Sequence, residues 1–318
     1  MAANAQKPKV LAVVGPTASG KTALGVALAK RYGGEVISAD SMQIYEGLDI
    51  VSAKPTSAEM QGIPHHLISI LPRTKRFSVA EYADMAHEKI REVISREHLP
   101  ILVGGTGLYI DTVLGGMQFS HEEQVDSTVR TELTARLEHE GKAALHAQLA
   151  TLDPEAAAAI HPNNAVRVIR ALEVCLTTDS TFTQYKKDNA AHPSPYEALL
   201  LGLDWDREVL YSRIDRRVTQ MAEVGMLEEV QAVRTQETMP STAAAAIGYK
   251  ELLPYFAGER SLADCLDDVR RESRRYAKRQ MTWFRRNAQI QWLKMYESDE
   301  AGKILEKAEK IIAKTDFL

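Results

Sequence analysis

The sequence predicts an α/β protein: a P-loop-containing parallel sheet core with helices on both faces and an inserted all-helical domain. Early in the chain, four apolar runs alternate with helix-length segments, which is the pattern of βαβ units. A glycine-rich octapeptide joins the first run to the first helical segment. Between about Gly115 and Pro195 the strand pattern disappears, and it returns afterwards, so the core is expected to be discontinuous in sequence.

Six apolar or β-branched runs are predicted to be strands of the core. They occupy residues 10–14, 35–39, 66–70, 101–103, 199–203 and 290–293. Helices are predicted in the strand-free stretch at residues 129–140, 142–152, 154–160 and 164–176. We therefore assign residues 1–115 and 198–318 to the α/β core and residues 116–197 to a helical insertion.

The composition of the 318-residue chain argues against two broad classes of protein. Hydrophobic residues make up 45% and charged residues 26%, which is unlike a disordered chain or a membrane protein. Residues 1–9 are polar and lack an apolar signal core, and no segment approaches the length that spans a bilayer. A cytoplasmic location is expected, with Cys175 and Cys265 reduced and buried in helices.

The octapeptide at residues 15–22 matches the phosphate-binding P-loop at every constrained position. Its residues are Gly15, Pro16, Thr17, Ala18, Ser19, Gly20, Lys21 and Thr22. Between a strand and a helix, such a loop directs backbone N–H groups and the helix dipole at a bound phosphate. Lys21 adds a point charge, and the Thr22 hydroxyl is placed to ligate Mg²⁺. The loop leaves open which phosphate compound enters and whether a phosphoryl group is transferred.

Asp40 follows the second predicted strand, at the carboxyl edge of the sheet and beside the P-loop. A carboxylate in this position can hold Mg²⁺ through water, or it can accept a proton from a nucleophile placed over the bound phosphates. The alternative is an aspartate that only caps a helix or closes a turn. The neighbouring P-loop favours a functional role.

The fourth predicted strand runs into Gly104, Gly105, Thr106 and Gly107, where a nucleotide hydrolase usually carries an aspartate for Mg²⁺. We interpret the three glycines as letting the backbone approach a ligand closely, while Thr106 offers a neutral hydroxyl. A turn before a helix would explain the same residues. Together with Asp40, Thr106 makes a pair of groups that can orient a small nucleophile near the phosphates.

Basic residues are concentrated near the C-terminus, although the net charge of the chain is 39 minus 43, or −4. On a helix, five of them share one broad face with Glu272 as nearly the only opposing charge; they are Arg271, Arg274, Arg275, Lys278 and Arg285. Such a stripe suits a phosphate backbone, and Arg167 with Arg170 offers a smaller one. A solvated or acid-paired helix face is the alternative.

Ordered motifs along the chain resemble one known family. They stand at residues 15–22, 40–45, 53–55, 64–66, 102–109, 160–163, 170–174, 247–249 and 276–280. In this order they resemble the bacterial tRNA dimethylallyltransferases, also called tRNA isopentenyltransferases, of the IPP transferase family. Val51-Ser52 departs from the commoner Gly-Thr. The zinc finger that eukaryotic members append has no counterpart in this sequence, so the resemblance implies the bacterial type.

The resemblance implies transfer of a dimethylallyl group from dimethylallyl diphosphate to the N6 amine of the tRNA adenosine immediately 3′ of the anticodon. It implies that the P-loop, Lys21 and a Mg²⁺ on Thr22 hold the departing diphosphate, that Asp40 takes the amine proton, and that Thr106 helps hold the base. Arg217 is a weaker candidate for the diphosphate site, because three arginines crowd at residues 213–217.

The resemblance also implies which segments touch tRNA. They contain Asp40, Ser41, Met42, Gln43, Thr106, Arg130, Val166, Arg167, Val168, Ile169 and Arg170. Arg275 and Lys278 of the basic stripe are added on the grounds of charge. The insertion at residues 116–197 is expected to clamp the anticodon stem-loop, and neither a membrane nor an obligate protein partner is implied.

Three alternatives from other classes stay open. A small-molecule P-loop kinase would share residues 15–22, and a prenyltransferase acting on free adenine nucleotides would share nearly all core motifs. A protein that only binds would keep Lys21 yet tolerate the loss of Asp40. ATP turnover separates the kinase from the others, and competition between AMP and an anticodon stem-loop RNA separates the two prenyltransferases.

Overall fold

The computed structural model describes residues 7–115, 127–190, 193–236 and 242–318. The chain divides into two compact units, one made of Met1–Leu114 with Pro195–Leu318 and the other of Gly115–Ser194. Among the described residues, no helix combines the length and the apolar character needed to cross a bilayer. Residues 116–126 and 191–192 of the predicted insertion lie outside the described residues.

The first unit is built on a six-stranded parallel sheet with the strand order β3-β2-β4-β1-β5-β6. The strands are β1 Lys9–Val14, β2 Gly34–Ser38, β3 His65–His66, β4 Leu99–Gly104, β5 Glu197–Trp205 and β6 Ile290–Met295. β1 lies in the middle and pairs Val13 with Val103 of β4 and with Leu201 of β5. The chain thus leaves the sheet after β4 and re-enters it at β5, directly beside β1.

Thirteen α-helices lie in the described ranges. They are α1 Lys21–Tyr32, α2 Ser57–Met60, α3 Val79–Ser95, α4 Gly107–Leu114, α5 Ser127–Leu152, α6 Pro154–Ala159, α7 Ala165–Thr177, α8 Phe182–Ala190, α9 Arg207–Glu223, α10 Met226–Gln236, α11 Tyr249–Phe256, α12 Leu262–Phe284 and α13 Ala301–Lys314. A short 3₁₀ turn occupies Ala243–Ala245.

Helices cover both faces of the sheet, because successive side chains of a strand point to opposite sides. Val10 and Ala12 of β1 pack in one cluster with Tyr82 of α3. Leu11, on the other side of the same strand, packs in a second cluster with Leu28 of α1. The predicted fold class is confirmed: strands buried on both faces carry the near-continuous apolar runs of a parallel sheet.

The predicted third strand is largely wrong. Residues 66–70 were expected to be extended, but β3 contains only His65 and His66. Leu67 and Ser69 have left-handed backbone angles, with φ of 60° and 50°, which a strand cannot accommodate. The chain therefore turns away from the sheet after His66. Its next β-type pairing is an isolated bridge between Leu71 and Tyr45.

Within residues 127–190 the second unit consists of helices α5 to α8 joined by short connections. α5 is interrupted at Gly141 (φ 82°, ψ 171°), which separates the two helices predicted there. Asp153 caps α6 by accepting from the backbone N–H of Ala156 at 2.9 Å, and it also accepts from the backbone N–H of Thr183 at 2.7 Å. One buried carboxylate thus joins α6 to α8. That this unit contacts tRNA stays a prediction.

The two cysteines are free and lie in different units. Cys265 on α12 is buried in an apolar cluster, as expected. Cys175 on α7 is only half-buried, so the expected burial is wrong for this residue.

Candidate functional site

A cavity of about 420 Å³ opens in the first unit at the carboxyl ends of the strands. Open parallel sheets bind ligands at this edge, because the loops that follow neighbouring strands converge there. The polar part of its wall comes from the P-loop, the end of β2, α9 and α12; it includes Lys21, Thr22, Asp40, Arg217, Tyr276 and Gln280. The apolar part includes Val51, Val218, Met221, Ile247 and Val269.

The P-loop takes its shape from left-handed backbone angles between β1 and α1. Ala18 has φ 61°, and Gly20, the N-cap of α1, has φ 93°. A residue with a side chain would be strained at Gly20, since only glycine adopts this angle freely. Thr17, Ala18, Lys21 and Thr22 line the cavity, so the N-terminal end of a twelve-residue helix faces it. This is an anion-binding arrangement.

Two half-buried cations face this anion site. Lys21 donates from Nζ to the Pro16 carbonyl at 2.7 Å. Burial lowers the Lys21 pKa to about 8; the nearby Asp40 carboxylate opposes this shift and the Arg217 guanidinium adds to it. Arg217 donates to the Ala53 carbonyl at 3.3 Å, and burial lowers its pKa as well. Both positive charges are held where a bound anion would relieve their desolvation.

A second arginine supports the P-loop from behind. Arg213 donates from Nε to the Ala18 carbonyl at 2.9 Å, and its guanidinium lies 4.3 Å from the centre of the Trp205 ring. Trp205 in turn donates from Nε1 to the Ser19 carbonyl at 2.9 Å. Of the three arginines crowded at residues 213–217, Arg217 lines the cavity, Arg213 positions the loop and Arg216 is exposed.

Asp40 lies at the end of β2 and has a double role in the geometry. Its Oδ1 accepts from the backbone N–H of Met42 at 2.9 Å, which closes a turn, and its carboxylate also lines the cavity. The turn brings Ser41, Met42 and Gln43 to the cavity wall. The structural and the functional interpretations of this aspartate are therefore compatible.

Thr106 is not among the cavity-lining residues. Its Oγ1 accepts from the backbone N–H of Ser41 at 3.0 Å, and its hydroxyl donates to Oγ of the same serine at 3.4 Å. Burial raises the pKa of Tyr276, another residue of the wall, above its usual value, so that this phenol stays protonated. Thr106 thus lies behind Ser41, and in this structure it holds that part of the wall in place.

Protein atoms occupy the space beside the three glycines after β4; the interpretation that they let a ligand approach is wrong for Gly105 and Gly107, whereas Gly104 does line the cavity. A Cβ on Gly104 would lie 2.0 Å from the Ala39 carbonyl oxygen, and one on Gly105 would lie 2.1 Å from Nε2 of Gln280. A Cβ on Gly107 would lie 2.2 Å from the Trp283 ring. The glycines allow β2 and α12 to pack against the end of β4.

Gln280 is the functional residue that the sequence reasoning missed. It is only 5% exposed, it accepts from the backbone N–H of Thr17 at 2.8 Å, and it donates to the Gly105 carbonyl at 2.9 Å. The amide therefore ties the P-loop to the turn after β4. One sequence signal was present: Gln280 is polar but shares the apolar, buried face of α12 with Ala277 and Phe284.

The basic stripe on α12 is largely paired with acids, and the expectation that Glu272 is nearly its only opposing charge is wrong. Four of its five members form ion pairs; these are Arg271–Asp268, Arg274–Asp215, Arg275–Glu272 and Arg285–Asp204. Asp215 and Asp204 come from α9 and β5, and so do not belong to α12 at all. Lys278 is exposed and forms no ion pair within the described residues.

In the second unit, a buried glutamate holds two of the residues predicted to touch tRNA. Glu173 accepts from Arg130 at 2.7 Å and from Arg170 at 3.0 Å, while both guanidinium groups stay partly exposed. Within the predicted segment at residues 166–170, Val166 is 80% exposed, but Val168 and Ile169 are buried. The side chains of the last two are therefore core residues and are not accessible to RNA.

Oxygen donors suited to Mg²⁺ are present in the cavity wall. The Thr22 hydroxyl and the Asp40 carboxylate both line it, and hard oxygen ligands are those that Mg²⁺ prefers. Among the described residues, no three His, Cys, Asp or Glu side chains form a metal site. The donor set fits an ion bound chiefly by water and by ligand phosphates, as is usual for Mg²⁺.

Residues 43–287 match the family model described as IPP transferase. The chain belongs to the IPP transferase family. Its relatives in this family include the tRNA dimethylallyltransferase of Halalkalibacterium halodurans, 47% identical over 300 residues that cover 94% of this chain and 95% of the relative. The tRNA dimethylallyltransferase of Bacillus subtilis is 48% identical over 292 residues, which cover 92% of both chains.

Solved structures of this family have the same fold. The full-length tRNA isopentenylpyrophosphate transferase of Bacillus halodurans superposes with a TM-score of 0.71 at 45% identity, covering 98% of this chain and 97% of that one. A eukaryotic dimethylallyltransferase acting on tRNA gives a TM-score of 0.82 at 26% identity, covering 97% of this chain and 79% of that one. The family and the enzyme class predicted from the ordered motifs are confirmed.

The lowered pKa of Lys21 predicts how the stability of the folded protein depends on pH. Because the folded value of about 8 lies below the ordinary 10.5, the unfolded state binds more protons between these pH values, and folding is favoured as pH rises through them. We expect Lys21→Met to be more stable than the wild type at pH 7 by about 1–3 kcal/mol, with the difference shrinking by pH 10. Urea denaturation at several pH values measures this.

Lys30→Met is the matched control, because Lys30 is an exposed lysine on the same helix. It should show no such pH-dependent difference from the wild type. In addition, inorganic diphosphate at pH 7 should raise the melting temperature of the wild type and of Lys30→Met, but not that of Lys21→Met. A Lys21→Met protein that is less stable than the wild type at pH 7 would contradict the assignment of an unrelieved buried charge.

Proposed function

We propose that the chain transfers a dimethylallyl group from dimethylallyl diphosphate to the exocyclic N6 amine of the adenosine immediately 3′ of the anticodon in tRNA, releasing diphosphate. One observation carries the proposal: a single cavity combines the cationic P-loop site of Lys21 and Arg217 with an apolar wall and the Asp40 carboxylate. A short hydrocarbon joined to a diphosphate, facing an amine, fits these three properties. The names of the relatives support the same reaction.

The P-loop serves here as a cradle for a leaving group. An adenine amine is a poor nucleophile, so the cleavage of the carbon–oxygen bond must be made easy by stabilising the departing diphosphate. Backbone N–H groups at the start of α1, with Lys21 and Arg217, are aimed at the place where that charge develops. Thr22 would hold Mg²⁺, which when bound neutralises part of the charge on the diphosphate oxygens.

On the acceptor side, Asp40 receives the proton of the amine. The N6 nitrogen forms a bond to the allylic carbon, the bond from that carbon to the diphosphate oxygen breaks, and one N6 proton passes to the Asp40 carboxylate. Ser41, held by Thr106, and Tyr276 form the adjoining wall against which the base is oriented. The adenosine must leave its stack to enter the cavity.

Recognition of the anticodon stem-loop is assigned to exposed basic and apolar side chains. In the helical unit these are Val166, Arg167, Arg130 and Arg170, of which the last two are anchored by Glu173. On α12, Lys278 contributes to phosphate binding, and Arg275 contributes less because it is paired with Glu272. The proposal includes a cytoplasmic location, and the reaction implies no obligate protein partner.

The proposal is tested by transfer of radiolabelled dimethylallyl from its diphosphate to an anticodon stem-loop RNA, with AMP and ATP as parallel acceptors and Mg²⁺ present. We expect label on the RNA only, and none on an RNA in which the target adenosine is replaced by guanosine. Label on AMP would identify a prenyltransferase of free nucleotides. Absence of transfer together with ATP turnover would point to the kinase.

Asp40→Asn should separate chemistry from binding. The asparagine oxygen can still accept the hydrogen bond from the Met42 N–H, so the turn is kept, but the proton acceptor is lost. We expect the single-turnover rate to fall by roughly 10²–10⁴, the usual contribution of a general base, while RNA affinity stays within a few fold. Asp40→Ala should give a comparable rate. Equal losses of single-turnover rate and of RNA affinity would contradict the role of Asp40 as the proton acceptor.

Lys278→Ala and Arg275→Ala form a matched pair on one helix face. Because Lys278 is unpaired among the described residues and Arg275 is bound to Glu272 at 2.7 Å, we expect the lysine change to weaken RNA binding more. Lys278→Ala should also reduce the salt dependence of binding by about one phosphate contact. Binding titrations at several salt concentrations measure both. An unchanged dependence of RNA affinity on salt concentration in Lys278→Ala would show that this helix face is solvated and does not contact the RNA phosphates.

A further inference from the structure

Residues 49–54 form a single helical turn in the wall of the cavity. The backbone N–H of Ala53 donates to the Ile50 carbonyl at 2.9 Å, and that of Lys54 donates to the Asp49 carbonyl at 2.9 Å. This pair of bonds is the pattern that closes a helix C-terminus, with Ala53 in the left-handed conformation at φ 51°. Val51, Ser52 and Ala53 line the cavity.

The other end of this turn is held by a glutamate from α10. Glu229 accepts three backbone N–H groups: those of Asp49 at 2.7 Å and Ile50 at 2.8 Å through Oε2, and that of Val51 at 2.9 Å through Oε1. The first N–H groups of a helical turn have no partner within it, and a carboxylate stabilises them by charge and by hydrogen bonding. Val51 also packs in an apolar cluster with residues of α10.

The turn at residues 49–54 accepts hydrogen bonds from two residues that are assigned to different substrates. The Ala53 carbonyl accepts from Nη2 of Arg217 at 3.3 Å and from Nε2 of Gln43 at 3.2 Å. Ala53 adopts a left-handed backbone angle that is unfavourable for a residue with a side chain, so this conformation persists only if its surroundings hold it. Glu229 itself is not part of the cavity wall.

We propose that Glu229 is a positioning residue that fixes the turn at residues 49–54 and, through the Ala53 carbonyl, sets the position of Arg217 and Gln43. The proposal rests on the proposed function, which gives Arg217 to the diphosphate and Gln43 to the RNA. It extends that function by naming a group outside the cavity that controls the binding of both substrates. Glu229 exchanges no proton and touches neither substrate.

The test compares Glu229→Gln with Glu228→Gln, which removes the same charge from the neighbouring, exposed position of α10. A glutamine can accept through one oxygen only, and its amide group would face an N–H. We expect Glu229→Gln to raise the KM for dimethylallyl diphosphate and for the RNA, and the dissociation constant of inorganic diphosphate, by about tenfold each, as for the loss of one charge-assisted hydrogen bond. Glu228→Gln should leave all three within twofold.

A double-mutant cycle shows whether the effect passes through Arg217. If Glu229 acts by placing this guanidinium, the losses in diphosphate affinity of Glu229→Gln and Arg217→Lys should be markedly less than additive. Additive losses would overturn the proposed route. If Glu229→Gln does not fold, Glu229→Asp keeps the charge but shortens the reach, and it should raise the same three constants by a smaller factor.

A purely structural role would give a different result. Glu229→Gln would then lower the melting temperature, while both KM values and the diphosphate dissociation constant stayed unchanged below the transition, and this would overturn the proposal. Failure of the proposed function is distinguishable: the wild type would transfer no label to RNA, yet the affinities of the two variants for inorganic diphosphate would still decide the role of Glu229.

Discussion

The buried amide of Gln280 is the interaction on which the site depends. The P-loop follows β1 and the glycine-rich turn follows β4, and these strands are neighbours in the sheet, so the two turns lie side by side. Each presents a backbone group that needs a partner, the N–H of Thr17 and the carbonyl of Gly105, and Gln280 supplies both. Gly105 must lack a side chain because the amide occupies that space.

The turn that Gln280 holds after β4 also organises the acceptor side. Thr106 directly follows Gly105 in this turn, and its hydroxyl oxygen accepts from the backbone N–H of Ser41 at 3.0 Å. The turn that carries Asp40 is thereby connected, through the turn after β4 and Gln280, to the P-loop. In the proposed transfer, the leaving diphosphate and the incoming amine must be aligned across the allylic carbon, and a rigid connection of this kind supplies such alignment.

The buried positive charges of the cavity favour the binding of an anion, and they lower the stability of the protein when no anion is bound. Lys21 and Arg217 are held partly out of water, and burial depresses both pKa values although the Asp40 carboxylate opposes the shift of both and Glu59 opposes that of Arg217. A diphosphate would supply the missing negative charge. Sites that bind strongly charged ligands commonly carry such unrelieved charge, and their stability then depends on the ligand.

The sequence predicted the features that are encoded locally. Strand, octapeptide and helix are contiguous, so the P-loop and the position of Asp40 at the end of β2 were found. Contacts between residues far apart in sequence cannot be predicted from a local pattern. Examples are the hydrogen bonds of Gln280 with Gly105 and of Glu229 with Asp49, and the ion pair of Arg274 with Asp215 on another helix. For this reason the interpretation of Gly105 and Gly107 as facing a ligand is wrong, and the basic stripe has more acidic partners than Glu272. The prediction of the third strand is largely wrong because left-handed backbone angles at Leu67 and Ser69 cannot be inferred from apolar composition.

The most direct test of this account is the single-turnover rate of dimethylallyl transfer to the stem-loop RNA by Gln280→Met, with saturating substrates. Methionine keeps the volume of the side chain but makes neither hydrogen bond, so the P-loop and the turn after β4 lose their connection. The account predicts a fall of about 10²-fold, as for a small misalignment of reacting groups, with the protein still folded. A folded Gln280→Met protein with the wild-type rate would contradict it.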